Sequence, residues 1–285
     1  MNIWEKIKYE YQKDNSAVKQ IIIINLAVFT VLVLVGLVAS LYNKKADDIF
    51  SIFFLPSNLN DLIFQPWSIV TNIFFHGGFW HIFGNMLLLY FIGGIFEDFV
   101  KRETVWRIFL WGGIAGGLFY LLSMNIFPVF EEVVSYKKLL GASGGVTAIL
   151  VAAAMHIPHY NLRPFGLFKI EMRWVAIFFI FRDLYTFPGS ENMGGLLAHI
   201  GGAIFGALFV LNLQGKINFP SFELPKISKK KMKVVKKATG SKPGSNAKGG
   251  RPNQAEIDAI LDKISQSGYD SLTSQEKDIL FKASE

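Results

Sequence analysis

One stretch limits this chain more than any other: residues 21–41, IIIINLAVFTVLVLVGLVASL, carry no charge from end to end. A helix needs about 20 consecutive apolar residues to cross the hydrocarbon core of a bilayer. The run is too long for the apolar core of a cleaved signal peptide, and no A-x-A site follows it, so it is expected to be a first membrane helix. Of the 285 residues 51% are apolar and only 18% charged, and the mean hydropathy is +0.34, which points to a multi-span membrane protein rather than a soluble domain. Five more apolar segments follow, at about 81–98, 105–124, 141–157, 173–187 and 194–213, the fifth of the six interrupted near its end by Arg182 and Asp183.

The remaining segments divide by composition. Residues 1–19 are polar and basic, with Trp4, Ile7 and Tyr11 at helical spacing, as in a cytoplasmic interfacial helix. Residues 42–80 hold Pro56, Pro66 and many aromatic residues. They are too apolar for a solvated loop and too interrupted for a span, so a loop partly sunk in the interface is expected. Residues 215–252 are rich in Lys, Gly and Ser and read as a basic flexible linker. In residues 253–285 helical patterning returns: Ile257, Ile260, Leu261 and Ile264 form one stripe, Ser267-Gly268 a stop, and Thr273 with Glu276 a capping box. The expected fold is all-α: a polytopic bundle of six transmembrane helices over 20–214, the linker, and a small cytoplasmic helical hairpin with an unknown partner.

Charge and cysteine content remove several functions. With no cysteine there can be no disulfide, thiolate metal site or cysteine nucleophile. The net charge is +7, but fourteen of the 29 Lys and Arg lie beyond residue 214, where a polybasic stretch favours membrane lipid over nucleic acid. Lys and Arg concentrate in the segments that share a side with the N-terminus, which places both termini in the cytoplasm, with a bacterial inner (plasma) membrane as the expected location.

Few polar groups fall inside the spans. His81 and Asn85 lie on the second, Ser143 in GASGG opens the fourth, and His199 in AHIGG lies on the sixth. These three segments run in the same direction, so the four groups share a layer roughly 0–10 Å below the outer helix ends at 1.5 Å per residue. Taken singly, each has an ordinary explanation. A serine at a helix start caps it, an intramembrane histidine satisfies a neighbour, and glycines such as Gly144, Gly202 and Gly206 let helices pack closely. Their alignment on three separate helices has no such explanation. Buried ionisable groups in spans mark functional sites.

GASG around Ser143, AHIGG around His199, HIFGN on the second span and LYFIGGIFE at its end together resemble the rhomboid intramembrane serine proteases, over about residues 20–213. The resemblance implies a Ser143–His199 dyad without a cofactor, acting on transmembrane protein substrates. It also implies an oxyanion hole of His81, Asn85 and the Ser143 N–H, with Gly141 allowing close approach of the chain and Gly144 and Gly202 close packing. No acidic third member is apparent in the spans, so packing is expected to orient His199. Substrate would enter between the second and fifth spans past Phe178, Phe179 and Phe181. Two positions depart from what the resemblance implies: Trp67-Ser68 stands where several relatives carry Trp-Arg, and Thr147 where an aromatic residue often packs on the catalytic histidine. His76, His156 and His159 are read as structural or interfacial, and no metal site is expected. The alternatives are a non-catalytic relative that binds or escorts membrane clients, and a transporter lined by the polar layer.

Overall fold

The structure, a computed structural model, describes residues 16–45, 49–163, 166–188, 190, 192–218 and 254–284. The expected N-terminal interfacial helix and most of the linker lie outside these residues. The chain divides into two compact units, one within 1–226 and the other within 227–285.

Among its described residues the larger unit holds six long helices: α1 (Ala17–Ser40), α2 (Phe79–Glu97), α3 (Arg102–Ile126), α4 (Ser143–His156), α5 (Met172–Thr186) and α6 (Met193–Leu213). α1, α2, α3 and α6 are long and apolar enough to cross a membrane, and α4 is a shorter apolar helix. Much of the surface is apolar, with Leu34, Leu37, Trp80, Phe181 and Tyr185 all exposed; a bilayer is the solvent that suits such a surface.

Side-chain hydrogen bonds fix the helix ends. Glu97, at the end of α2, accepts from Ser16 Oγ (2.6 Å) and from the backbone N–H of Ala17 (2.5 Å). It thereby satisfies orphan donors at the start of α1 and places a carboxylate at the positive end of that helix. α2 widens into a π-helical turn at Leu89–Gly93. A side chain at Gly93 would strike Leu89 and Val18, so the turn sits tightly against α1.

α4 is the centre of the unit. Ala148, Ile149, Leu150, Ala152 and Ala153 are all buried. Apolar lipid provides no hydrophobic drive between helices, so close van der Waals packing of small residues must hold them. A Cβ at Gly202 on α6 would collide with the Gly144 carbonyl on α4, and one at Gly206 with the Ala148 carbonyl. On the α3 side, Gly112 abuts Ala148 in the same way, and Gly145 abuts the Phe109 carbonyl. Two glycines, not side-chain interdigitation, set the α4–α6 separation.

The segment before α2 is more ordered than a sunken loop. It folds into short helical turns at Ser51–Phe53, Leu59–Phe64, Ser68–Thr71 and Asn72–Phe74. Trp67 Nε1 donates to the Ile52 carbonyl and Thr71 Oγ1 to the Phe53 carbonyl, each at 2.8 Å. Ser68 is fully buried. The fold is not purely helical either. β1 (Leu55–Pro56) pairs antiparallel with β2 (Lys138–Leu139), and β3 (Asn161–Leu162) with β4 (Ile170–Glu171).

The smaller unit is a helical hairpin, α7 (Gln254–Ser267) and α8 (Ser274–Ser284). Gly268 adopts φ +78°, which favours glycine, and its N–H donates to the Ile264 carbonyl. The capping box forms: Thr273 N–H donates to Glu276 Oε2 (2.8 Å) and Glu276 N–H to Thr273 Oγ1 (3.3 Å). Lys263 Nζ on α7 donates to both carboxylate oxygens of Glu276 at 2.9 Å. The lysine, followed by the Thr273 donors, pulls the Glu276 pKa down to about 2.

Two outcomes are expected. Gly202→Ala drives a methyl into the α4 backbone and should destabilise the larger unit by about 1–3 kcal/mol. Gly94→Ala, which meets nothing within 4 Å, should be neutral or stabilising by up to about 1 kcal/mol. Thermal melts in detergent compare the two. In the hairpin, a carboxylate whose folded pKa is depressed stabilises the fold above its unfolded value of 4.5, and the contribution fades as pH falls towards about 2. Amide hydrogen exchange of the full chain at neutral pH should therefore show faster opening of 273–284 in Glu276→Gln; unchanged protection contradicts the assigned tie.

Candidate functional site

Ser143, His199, His81 and Asn85, drawn from three helices, line one cavity of about 250 Å³. Trp80, Thr147, Phe179, Arg182 and Asp183 line it too. A second cavity of about 680 Å³ adjoins it, sharing Trp80, His81, Leu140, Asn192 and Gly195.

Ser143 is the first residue of α4, and the turn before it is held from several sides. Leu139 pairs with Leu55 across β2 and β1, Gly141 N–H donates to the Asn72 carbonyl at 3.0 Å, and Ala142 N–H donates to His76 Nε2 at 3.4 Å. His76 is fully buried. Burial, then the neighbouring His81, pushes its pKa down to about 3, so the ring is neutral and can accept at Nε2. Gly141 has φ +136°, and a Cβ there would lie 2.8 Å from both Cε1 and Nε2 of His81 and 3.6 Å from Ser143 Oγ. Conformation and space both require glycine at 141. Gly141 thus sets the positions of Ser143 and His81 against each other.

His199 lies two turns inside α6, one turn before the glycine that touches α4. Its Nδ1 is 2.7 Å from Asp183 Oδ2. Asp183 is buried on α5, and its Oδ1 accepts from Arg182 Nε at 3.1 Å. The expectation that no carboxylate stands behind His199 is thus wrong. Among the described residues no aromatic ring stacks on His199. Thr147, at the position where one was sought, instead lines a 260 Å³ cavity together with Asp183 and His199. The sequence marked Asp183 only as an interruption of an apolar span. A buried ionisable group there is a functional signal in its own right, but nothing local ties residue 183 to residue 199.

Asn85 is buried one turn below His81, and its Nδ2 donates to the His81 carbonyl at 3.0 Å, leaving a second amide hydrogen. The His81 ring makes an edge contact with His76, centroids 5.0 Å apart. The backbone N–H of Ser143 lies in the first turn of α4, where N–H groups have no intrahelical partner. An imidazole, an amide and a helix N-terminus are thus gathered in one cavity beside a hydroxyl. Such a set can donate hydrogen bonds to developing negative charge on an oxygen.

The other candidates sit elsewhere. His156 makes an edge contact with Phe96, and His159 is exposed and pairs with Glu171. Of the three phenylalanines on α5, only Phe179 lines the cavity; Phe178 and Phe181 are exposed on the outside of the helix.

Comparison with known proteins places this arrangement. The Rhomboid domain family matches residues 64–215, and a family of unknown function, DUF6576, matches residues 251–285. The chain is similar to RHOMBOID-like protein 12, mitochondrial, of Arabidopsis thaliana: 28% identity over 150 residues, 50% of this chain and 44% of that protein. It is 27% identical over 152 residues to Rhomboid protein 1, mitochondrial, of Saccharomyces cerevisiae, covering 52% of this chain and 42% of the relative. Inactive RHOMBOID-like protein 8 of Arabidopsis thaliana also matches, at 26% over 134 residues, 47% of this chain and 36% of that protein. The chain thus spans less than half the length of these relatives. The matched region runs from the turns before α2 to the end of α6 and takes in just over half of the chain, including every residue that lines the cavity: the chain is a multi-pass membrane protein of the rhomboid family.

Proposed function

We propose that this protein is an intramembrane serine endopeptidase that cuts transmembrane substrates in or near their membrane helices. All six long helices would span the bilayer, with both termini on the cytoplasmic side, where Lys and Arg concentrate. The observation that carries the reading is the single cavity shared by Ser143, His199, His81 and Asn85. The length of α4 supports its depth. Fourteen residues rise roughly 21 Å at 1.5 Å each, against a hydrocarbon core of about 30 Å. A buried helix that short would leave at least one end beneath the membrane surface, and the larger adjoining cavity, which shares His81 and Leu140 with the site, would give water a route to Ser143.

In the proposed reaction the Ser143 Oγ attacks the scissile carbonyl, and its proton passes to His199 Nε2 as the new C–O bond forms. The carbonyl π electrons move onto oxygen, where His81, the free amide hydrogen of Asn85 and the Ser143 N–H hold the oxyanion. His199 returns the proton to the leaving amine as the C–N bond breaks. Water, activated by the same imidazole, then hydrolyses the acyl-enzyme. A transmembrane helix already satisfies its own backbone, so the cut segment must unwind before its carbonyl can reach Ser143. A gate on α5 would rest on Phe179, the one of the three phenylalanines at the cavity.

A second reading, client binding without cleavage, is favoured by the match to an inactive relative. The two separate cleanly. A fluorophosphonate probe in detergent should label the wild type, and both Ser143→Ala and His199→Ala should abolish labelling. Asn85→Ala should lower kcat on a membrane-embedded reporter by about 10²–10³ through loss of one oxyanion donor, with cleavage on the non-cytoplasmic side. Labelling that survives Ser143→Ala, or a folded wild type that never labels, supports the binding reading.

A further inference from the structure

Thr147 and Asp183 raise one question together: what aims the His199 ring? Thr147, four residues after Ser143, has no ring to stack on the histidine. Beyond His199, Thr147, Ile180, Leu184, Ile200 and Ile204 line a cavity of about 260 Å³. An imidazole with open space beside it, and no stacking partner, is free to turn about its χ2 torsion. It is held instead by one hydrogen bond, Nδ1 to Asp183 Oδ2 at 2.7 Å, with the carboxylate buried.

We propose that Asp183 is the positioning residue of a Ser143–His199–Asp183 triad, doing here by charge what an aromatic ring does by packing. The inference rests on the protease reading. Three geometric facts support it. Asp183 Oδ2 lies 2.7 Å from Nδ1; an ionised carboxylate can only accept, so the hydrogen belongs on Nδ1 and Nε2 is left as the lone-pair nitrogen. Its other oxygen accepts from Arg182, whose guanidinium lies 5.3 Å over the Phe179 ring. That second tie holds the carboxylate in one rotamer and compensates its charge in a poorly hydrated setting. Finally, in the proposed topology α5 would run opposite to α4 and α6, so Asp183, one turn from its C-terminal end, would fall at the same depth as residues near the start of the other two, as its contact with His199 requires. When Nε2 takes the serine proton, Asp183 keeps its charge and stabilises the imidazolium; no proton moves to it.

The test reads tautomer and kinetics separately. In full-length protein labelled with ¹⁵N-histidine, the His199 resonances, assigned by their loss in His199→Asn, should place the proton on Nδ1. A proton on Nε2, or two exchanging tautomers, overturns the proposal without recourse to any Asp183 variant. Asp183→Asn should lower kcat by about 10²–10⁴ while KM stays within about threefold, and should abolish the signal of the Nδ1–H tautomer. A kcat within about threefold of wild type also overturns it. Absence of Ser143-dependent probe labelling in the wild type would instead remove the protease reading and leave the tautomer result standing, so the two failures are distinguishable.

Discussion

The contact between Gly144 and Gly202 is the constraint on which the rest of the membrane unit depends. Two helices meet backbone to backbone because neither carries a side chain at the crossing. In lipid this is how helices are held, since the surrounding solvent is as apolar as the side chains themselves. The consequence for the site is geometric. Gly144 follows Ser143 directly, and Gly202 lies one turn after His199. A crossing that tolerates no Cβ at Gly202 therefore limits how far apart a hydroxyl and an imidazole can be.

The second ingredient is a rigid approach to α4. The turn before Ser143 is anchored to β1, to the Asn72 carbonyl and to His76, all within the compact turns that precede α2. The nucleophile candidate and the oxyanion candidates on α2 are thus positioned by one framework. This assigns a purpose to the aromatic segment at 49–78, which otherwise looks like an irregular connection. His76 serves it as a neutral acceptor, a role for which its burial suits it.

Much of this was legible in the sequence because the signals are local or periodic. Apolar runs gave the six helices to within four residues at each end, and GASGG and AHIGG marked the glycines that permit close approach. Adding helix direction placed His81, Asn85, Ser143 and His199 in one layer, and those four do share a cavity. The capping box at Thr273 and Glu276 was readable for the same reason, since its partners lie three residues apart. What escaped was long-range. Asp183 and His199 are sixteen residues and a helix turn-around apart, and nothing in FIFRDLYT names its partner. The short helices at 51–74 escaped because their prolines and aromatic residues read as interruption, whereas they are stabilised by tertiary bonds such as Trp67 to Ile52. Of the three phenylalanines expected beside the cavity only Phe179 lines it, because side-chain direction on α5 depends on packing, which an almost uniformly apolar helix does not display.

The claim at the centre is that Ser143 and His199 act on one carbonyl within a submerged cavity. A structure of the protein after reaction with a phosphonate inhibitor tests this most directly. The account predicts a covalent bond from Ser143 Oγ to phosphorus, His199 Nε2 within about 3.2 Å of that oxygen, and the phosphoryl oxygen held between His81 and Asn85. An adduct on any other residue, or an unmodified Ser143 with the His199 ring turned away from it, would contradict the account.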